Sequence, residues 1–187
     1  MPSEVVSEMM LIVLVIIVGT VILGFSFAYL LPQIAFSNAQ NQASNLASSS
    51  SVSVGPLLLS SSGNSGSLVV ELFNPAYNGT LYVYAFVTPS YEESSAGIIT
   101  PTSPSSFSVY FPNGSTAPSY SVSTIYETNG KILYGSGLTV YKVTFNTPIT
   151  IVVNNVNKND IVIIWFIVNE GGYYFRIGYT YTGVPTT

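Results

Sequence analysis

The sequence predicts an α+β protein, a long N-terminal hydrophobic α-helix followed by an antiparallel β-sandwich head, and three observations carry that prediction. Met9 to Leu31 contains no charged residue over 23 positions. Gln33 to about Ser50 continues with helical spacing but becomes polar and alanine-rich. Beyond it, short runs rich in Val, Ile, Thr, Tyr and Phe alternate with Asn-Pro, Asn-Gly and Gly-Ser breaks, the pattern of strands and turns. The boundary falls near residue 52, giving a hydrophobic helix and polar neck over 1–52 and a head over 53–187.

As an α-helix, Met9–Leu31 is about 35 Å long, against about 30 Å of bilayer hydrocarbon. A helix apolar on all sides needs lipid or protein around it. Pro2 suits a first helical turn, and Glu4 and Glu8 lie near the positive end of the helix dipole. They read either as helix-start acids or, for Glu8 at the edge of the apolar run, as partners of a cation such as a subunit's terminal amine. Leu11 and Val15 belong to the apolar surface itself. Thr20, Gly24 and Ala28 recur every four residues, which places them on one face. That spacing fits either close approach by another helix or ordinary membrane-helix composition. Pro32 removes a helical hydrogen bond, so the helix is expected to kink or loosen near Ala28–Leu31.

In the neck, Ala35, Ala39 and Ala43, with Leu46 or Ala47, form a narrow stripe of small residues. Gln, Asn and Ser fill the remainder, where a water-exposed helix would carry Lys and Glu. That lack of charge is what is expected if neighbours crowd the helix and leave charge poorly solvated. Ser48–Ser51 ends the helix and Gly55-Pro56 marks a break.

Strands are expected over Ser67–Phe73, Thr80–Val87, Phe107–Phe111, Ser119–Tyr126, Lys131–Tyr134, Thr139–Phe145, Ile149–Val153, Asp160–Val168 and Tyr173–Tyr181. Asn129-Gly130 is the clearest tight-hairpin signal. Strands of this length and spacing favour an immunoglobulin-like Greek key. Ile161–Val168 is apolar on both faces, so that strand is central, covered within the sandwich or by the neck. Thr88–Ser106, rich in Pro, Ser and Thr, reads as an exposed loop.

Composition narrows the function. Charged residues make up 6% of the chain and apolar ones 48%. The only basic residues are Lys131, Lys142, Lys158 and Arg176, too few for a nucleic-acid surface. Cysteine and histidine are absent, so thiolate metal sites, disulfides and histidine bases are excluded. The acids are scattered, and Glu92-Glu93 are adjacent rather than spaced as an acid and a base would be. Asp160, the sole aspartate, lies at a strand start and reads as a turn residue. No phosphate-binding or dinucleotide motif is present. The expectation is a protein with no catalytic, cofactor or metal site. Asn78-Gly79-Thr80 and Asn113-Gly114-Ser115 match the N-glycosylation pattern, as chance matches also do in a chain rich in Asn, Ser and Thr. The 14 tyrosines are chiefly core and interface residues, with a carbohydrate- or surface-binding patch as the alternative.

Taken together, N-terminal acids, apolar helix, polar neck and β head resemble the archaeal type IV pilins over nearly the whole chain. The resemblance is one of organisation. It implies removal of a short basic leader, which fits the lack of basic residues before Leu11, although the retained Met1 leaves the cleavage point open. An uncleaved anchor is the other reading. It further implies membrane-inserted subunits that an ATP-driven machine extrudes into a helical filament at the cell surface, helices in the core and heads outward for adhesion. Archaeal flagellar filament proteins (archaellins) share the plan, but usually with a small or Gly-containing start and a more alanine-rich helix than SEMMLIVLVIIVGTVILGF. A membrane-anchored cell-surface binding module is the reading from another class.

Overall fold

The computed structural model describes residues 2–61, 64–102 and 105–185, with Pro2 described by its backbone alone. Met1 therefore lies outside the described residues, as do Ser103 and Pro104 of the expected 88–106 loop. Helix α1 runs over Pro2–Phe25 and α2 over Leu31–Ser49, joined by a π-helical turn, Ser26–Leu30. Two compact units result, one up to Asn38 and one from Ala39 onward. The division falls within α2, earlier than the change in composition near residue 52. Its cause is burial: Ala39 and Ala43, 4% and 0% exposed, are packed within the second unit.

Among the described residues twelve strands follow: β1 Ser51–Val54, β2 Leu58–Leu59, β3 Ser65–Phe73, β4 Thr80–Pro89, β5 Phe107–Tyr110, β6 Ser119–Val122, β7 Ile125–Glu127, β8 Ile132–Tyr134, β9 Leu138–Thr144, β10 Ile149–Asn154, β11 Asp160–Glu170 and β12 Tyr173–Gly183. One sheet has the order β1-β3-β10-β5, with β2 also paired to β3. The other has the order β6-β9-β4-β11-β12-β7-β8. β1 and β2 are additions to the sequence expectation, short and serine- or leucine-based segments without aromatic residues. The expected wholly antiparallel head is corrected at one pairing, because β7 runs parallel to β12.

That pairing follows from a break inside Ser119–Tyr126, which the sequence presents as one strand. Its first half, β6, pairs with β9, and its second half, β7, pairs with β12. Laid flat, the sheet would hold β6 and β7 five strand spacings apart, about 24 Å. The three Cα steps from Val122 to Ile125 span at most about 11 Å. The sheet must therefore curl until its two sides meet along this bent segment. The Asn129-Gly130 turn comes next, with Gly130 at φ 85° and the Lys131 N–H donating to Asn129 Oδ1 at 2.9 Å. It makes the β7–β8 hairpin.

The curl explains why β11 is buried on both faces. Register and alternation put Tyr84, Trp165, Leu138 and Val122 on the concave face, all buried, whereas Ser121 and Thr139 on the opposite face are exposed. The convex face of the central strands, including Val83, Val162, Ile164 and Phe166, meets Leu68, Val70, Ile151 and Val153 of the other sheet in the apolar core. The neck covers neither face of this strand's centre.

Inside the curl sits Arg176, 7% exposed, its guanidinium carbon 5.2 Å from the Trp165 ring centre and 5.3 Å from that of Tyr179. It forms an ion pair with Glu127 and donates to the Gly97 carbonyl at 2.8 Å. Burial lowers its pKa below the ordinary guanidinium value, and Glu127 opposes that shift. The reading of Thr88–Ser106 as an exposed loop holds for Ser90, Tyr91, Glu93, Ser94, Ser95 and Ile98 and is corrected at Thr88, Ala96 and Pro101, which are buried, and at Gly97, which is held by Arg176. Residues Ser90–Ser95 form a 3-10 helix, and Ala96 is 1% exposed because this segment closes over the aromatic residues of the curl.

Removing one partner strands a buried charge. Glu127→Ala should destabilise the head by about 3–5 kcal/mol. Denaturant unfolding of the full chain in detergent, followed through its sole tryptophan, Trp165, measures it. The double change Glu127→Ala with Arg176→Met should recover most of that loss.

Candidate functional site: the exposed apolar helix

Among the described residues, one helix, Ser3–Ser49, is long and apolar enough to cross a membrane. From Val5 to Ile34 its large side chains are exposed on every side: Met10 70%, Leu11 65%, Val15 59%, Val21 65%. Such a surface is unstable in water at roughly 25 cal/mol per Å² of apolar area. Two hydroxyls within it are already satisfied. Ser7 Oγ donates to the Ser3 carbonyl at 3.0 Å and Thr20 Oγ1 to the Ile16 carbonyl at 2.8 Å. This i−4 bonding lets a hydroxyl occupy an apolar setting. Glu4 lies in the first turn and Glu8 one turn on, both exposed.

Gly19 and Gly24 have open space where a Cβ would stand, so nothing in this chain requires glycine there. Thr20 and Gly24 lie in regular α-helix. Ala28 lies in the π turn, closed by the Leu31 N–H donating to the Ser26 carbonyl. An extra residue in a turn rotates the helix beyond it by about 100° relative to an unbroken α-helix. Four-residue spacing therefore no longer ties Ala28 to the face of Thr20 and Gly24. The turn directly precedes Pro32, whose missing N–H is its evident cause.

The alanine stripe divides. Ala35 is exposed, whereas Ala39 and Ala43 are used within their own chain. The Ala39 Cβ lies 3.4 Å from where a Cβ on Gly171 would stand, and Gly171 has φ 59°. Gln40 Nε2 donates to the Thr128 carbonyl at 2.9 Å. At the helix end, Ser49 and Ser50 return their hydroxyls to the Asn45 and Leu46 carbonyls at 2.8 and 2.6 Å. Those same hydroxyls accept from Asn74 Nδ2 at 2.9 and 3.0 Å. Asn74, 1% exposed, also takes the Ala76 N–H on its Oδ1 at 2.9 Å. Sequence reasoning does not find this role; only the Asn-Pro turn signal marks the residue.

Asn78 and Asn113 are both exposed in loops. Asn113 Oδ1 accepts from the Ser115 N–H at 3.0 Å and the Ser115 hydroxyl at 2.7 Å. Asp160 closes a turn, its Oδ2 accepting the Asn157 N–H at 2.8 Å. Among the described residues no group of three or more acids is placed to hold a metal ion. No protein-family model, curated protein or solved structure matches the chain.

Beside the neck, Gln42, Leu46, Asn74, Tyr77 and Glu170 line an open groove of 300 Å³. Burial raises the pKa of Glu170, and burial together with Glu170 raises that of Tyr77. A raised carboxyl pKa means the fold favours the protonated form. The resulting stabilisation is complete below the unfolded-chain value, about 4.3, and is lost as pH rises through the folded value. Glu170→Gln should therefore flatten this part of the stability–pH profile and raise the denaturant midpoint at neutral pH. Unfolding curves at a series of pH values check both.

Proposed function

We propose that the chain is a structural subunit of an archaeal type IV pilus-like filament, membrane-inserted before assembly and extracellular afterwards, with the head exposed for adhesion. One observation carries the reading. A helix apolar on all sides, with open glycines at 19 and 24, is joined to a head that has already buried its own part of the neck. The surface left for other copies is then Val5 to Ala35, and the partners are further copies of the chain. The reading includes lipid before assembly, an assembly machine, glycans at Asn78 and Asn113, no nucleic acid and no catalysis. It also takes the two-sheet head as an immunoglobulin-like sandwich, one of whose sheets has curled.

An archaellin would use the same plan, and the branched aliphatic side chains of α1 favour the pilus. A membrane-anchored binding module is the second reading, supported by a helix whose apolar stretch, Met9–Leu31, matches a bilayer in length. A secretory signal meets the same length criterion.

Filaments sheared from cells without detergent and imaged by electron microscopy separate these readings. Thin uniform fibres containing this polypeptide support the pilus, and recovery only in detergent-solubilised membranes supports the anchored module. In a filament core, Val15→Lys places an unpaired ammonium among apolar side chains. Assembly should be abolished while Trp165 emission in the detergent-solubilised variant stays unchanged. Abundant normal filaments from this variant would refute the proposal.

A further inference from the structure

The neck packs at one end of β11, where Gly171 meets Ala39, and Asp160 lies at the other end, about 34 Å along the strand. Around Asp160 opens a cleft of 430 Å³, lined by Ser90, Glu93, Lys158, Asn159, Asp160 and Tyr181 among others. Its size falls in the range of small-ligand sites, about 300–1,000 Å³. Three charged side chains meet here in a chain that is 6% charged.

The polar groups of the cleft are of both kinds. Asp160 Oδ2 is held by the Asn157 N–H and side-chain amide, at 2.8 and 3.2 Å, which leaves Oδ1 without a protein partner among the described residues. The Lys158 ammonium has no ion pair among them either. Asn159 accepts the Ser90 N–H at 2.9 Å through its backbone carbonyl, which leaves its side-chain amide for a ligand. Tyr181 and Glu93 both line the cleft, and Tyr181 is 39% exposed, so its ring is open to a ligand. Tyr91, beside Ser90, is 80% exposed.

These features select a ligand. Two carboxylates against one ammonium disfavour phosphate, sulfate and acidic sugars. A carboxylate oxygen, an amide and an ammonium together can both accept from and donate to neighbouring hydroxyls. A tyrosine ring offers a flat apolar surface for the C–H face of a sugar ring. We infer that this cleft, at the end of the head away from the neck, is a binding site for neutral hexose-containing glycans. The inference deepens the adhesive reading of the head and rests on it, and it does not require polymerisation.

The test uses the full chain in a sugar-free detergent, because glucoside and maltoside detergents would compete. Glucose, galactose and mannose, and then an array of neutral glycans, are titrated by calorimetry or ligand-observed NMR up to about 10 mM. Saturable binding by at least one is expected. Tyr181→Ala and Asp160→Asn should each weaken it by about tenfold or more, and Tyr181→Phe should keep most of it. Unchanged Trp165 emission establishes that each variant is folded. No saturable binding by the wild type, or Tyr181→Ala binding as tightly as wild type, would overturn the site. Preference for an acidic glycan over its neutral counterpart would overturn the ligand class. Filaments without sugar binding would remove this site and leave the polymer standing, and sugar binding without filaments would do the reverse.

Discussion

Three Cα steps between Val122 and Ile125 govern the head. They connect two strands that have four others between them in the hydrogen-bonding order, and they leave the sheet no option but to curl. A flat sheet would expose one face of β11 and have to hide it under a helix. A curled one encloses that face with its own edges. The long apolar run Ile161–Val168 is thus matched to a geometry in which a strand has no solvent side. The loop after β4 completes the enclosure, laying Ala96 and Gly97 over Arg176 and Tyr179.

Enclosure has an electrostatic consequence. Of the chain's four basic residues only Arg176 is buried, and it lies where the curl is closed by β7 and the loop. Its ion pair links β12 to Glu127 on β7, and its hydrogen bond links β12 to the loop. An arginine is suited to this because its Nη2 carries two N–H donors, one for Glu127 and one for the Gly97 carbonyl, and its flat face stacks on Trp165 and Tyr179. The pair is weak evidence of net stability, since both charges were removed from water to make it. Its effect is to make the arrangement intolerant of alternatives. A misplaced β7 would leave a buried guanidinium without its acid.

Much of this is legible in the sequence in kind, less so in detail. Hydrophobic content marks the helix from Met9 to Leu31, and β-branched and aromatic runs locate nine strand segments. The Asn129-Gly130 hairpin and the turn role of Asp160 need only local chemistry. Ser119–Tyr126 looks like one strand because Ser123 and Thr124 carry no turn signal; tertiary closure bends the chain there, and no local propensity records it. The loop after β4, exposed over most of its length, misleads at Ala96 and Gly97 for a related reason. Its Pro, Ser and Thr content is that of a surface segment, yet the concave aromatic face beneath it has to be covered. The neck alanines are small for close packing, as their spacing suggests, but periodicity identifies a face and does not say what occupies it. Asn74 is invisible as a tie because its partners, Ser49 and Ser50, are distant in sequence and common in type.

The use of Ala39 and Ala43 within the head sharpens what the exposed helix can do. A stripe running from α1 through the neck would have offered one surface for neighbouring copies. Instead the neck is committed to the head, and what remains uncovered is the segment ending near Ala35. In that segment large side chains gain little from water exclusion when lipid is exchanged for protein, since both are apolar. In the proposed filament, association there has to come from contact density and from how closely backbones approach. Gly19 and Gly24 are the positions at which this chain keeps no side chain and has no internal reason to omit one. The π turn then rotates the helix surface after them, so that whatever packs on Thr20 and Gly24 meets a different face beyond Leu31.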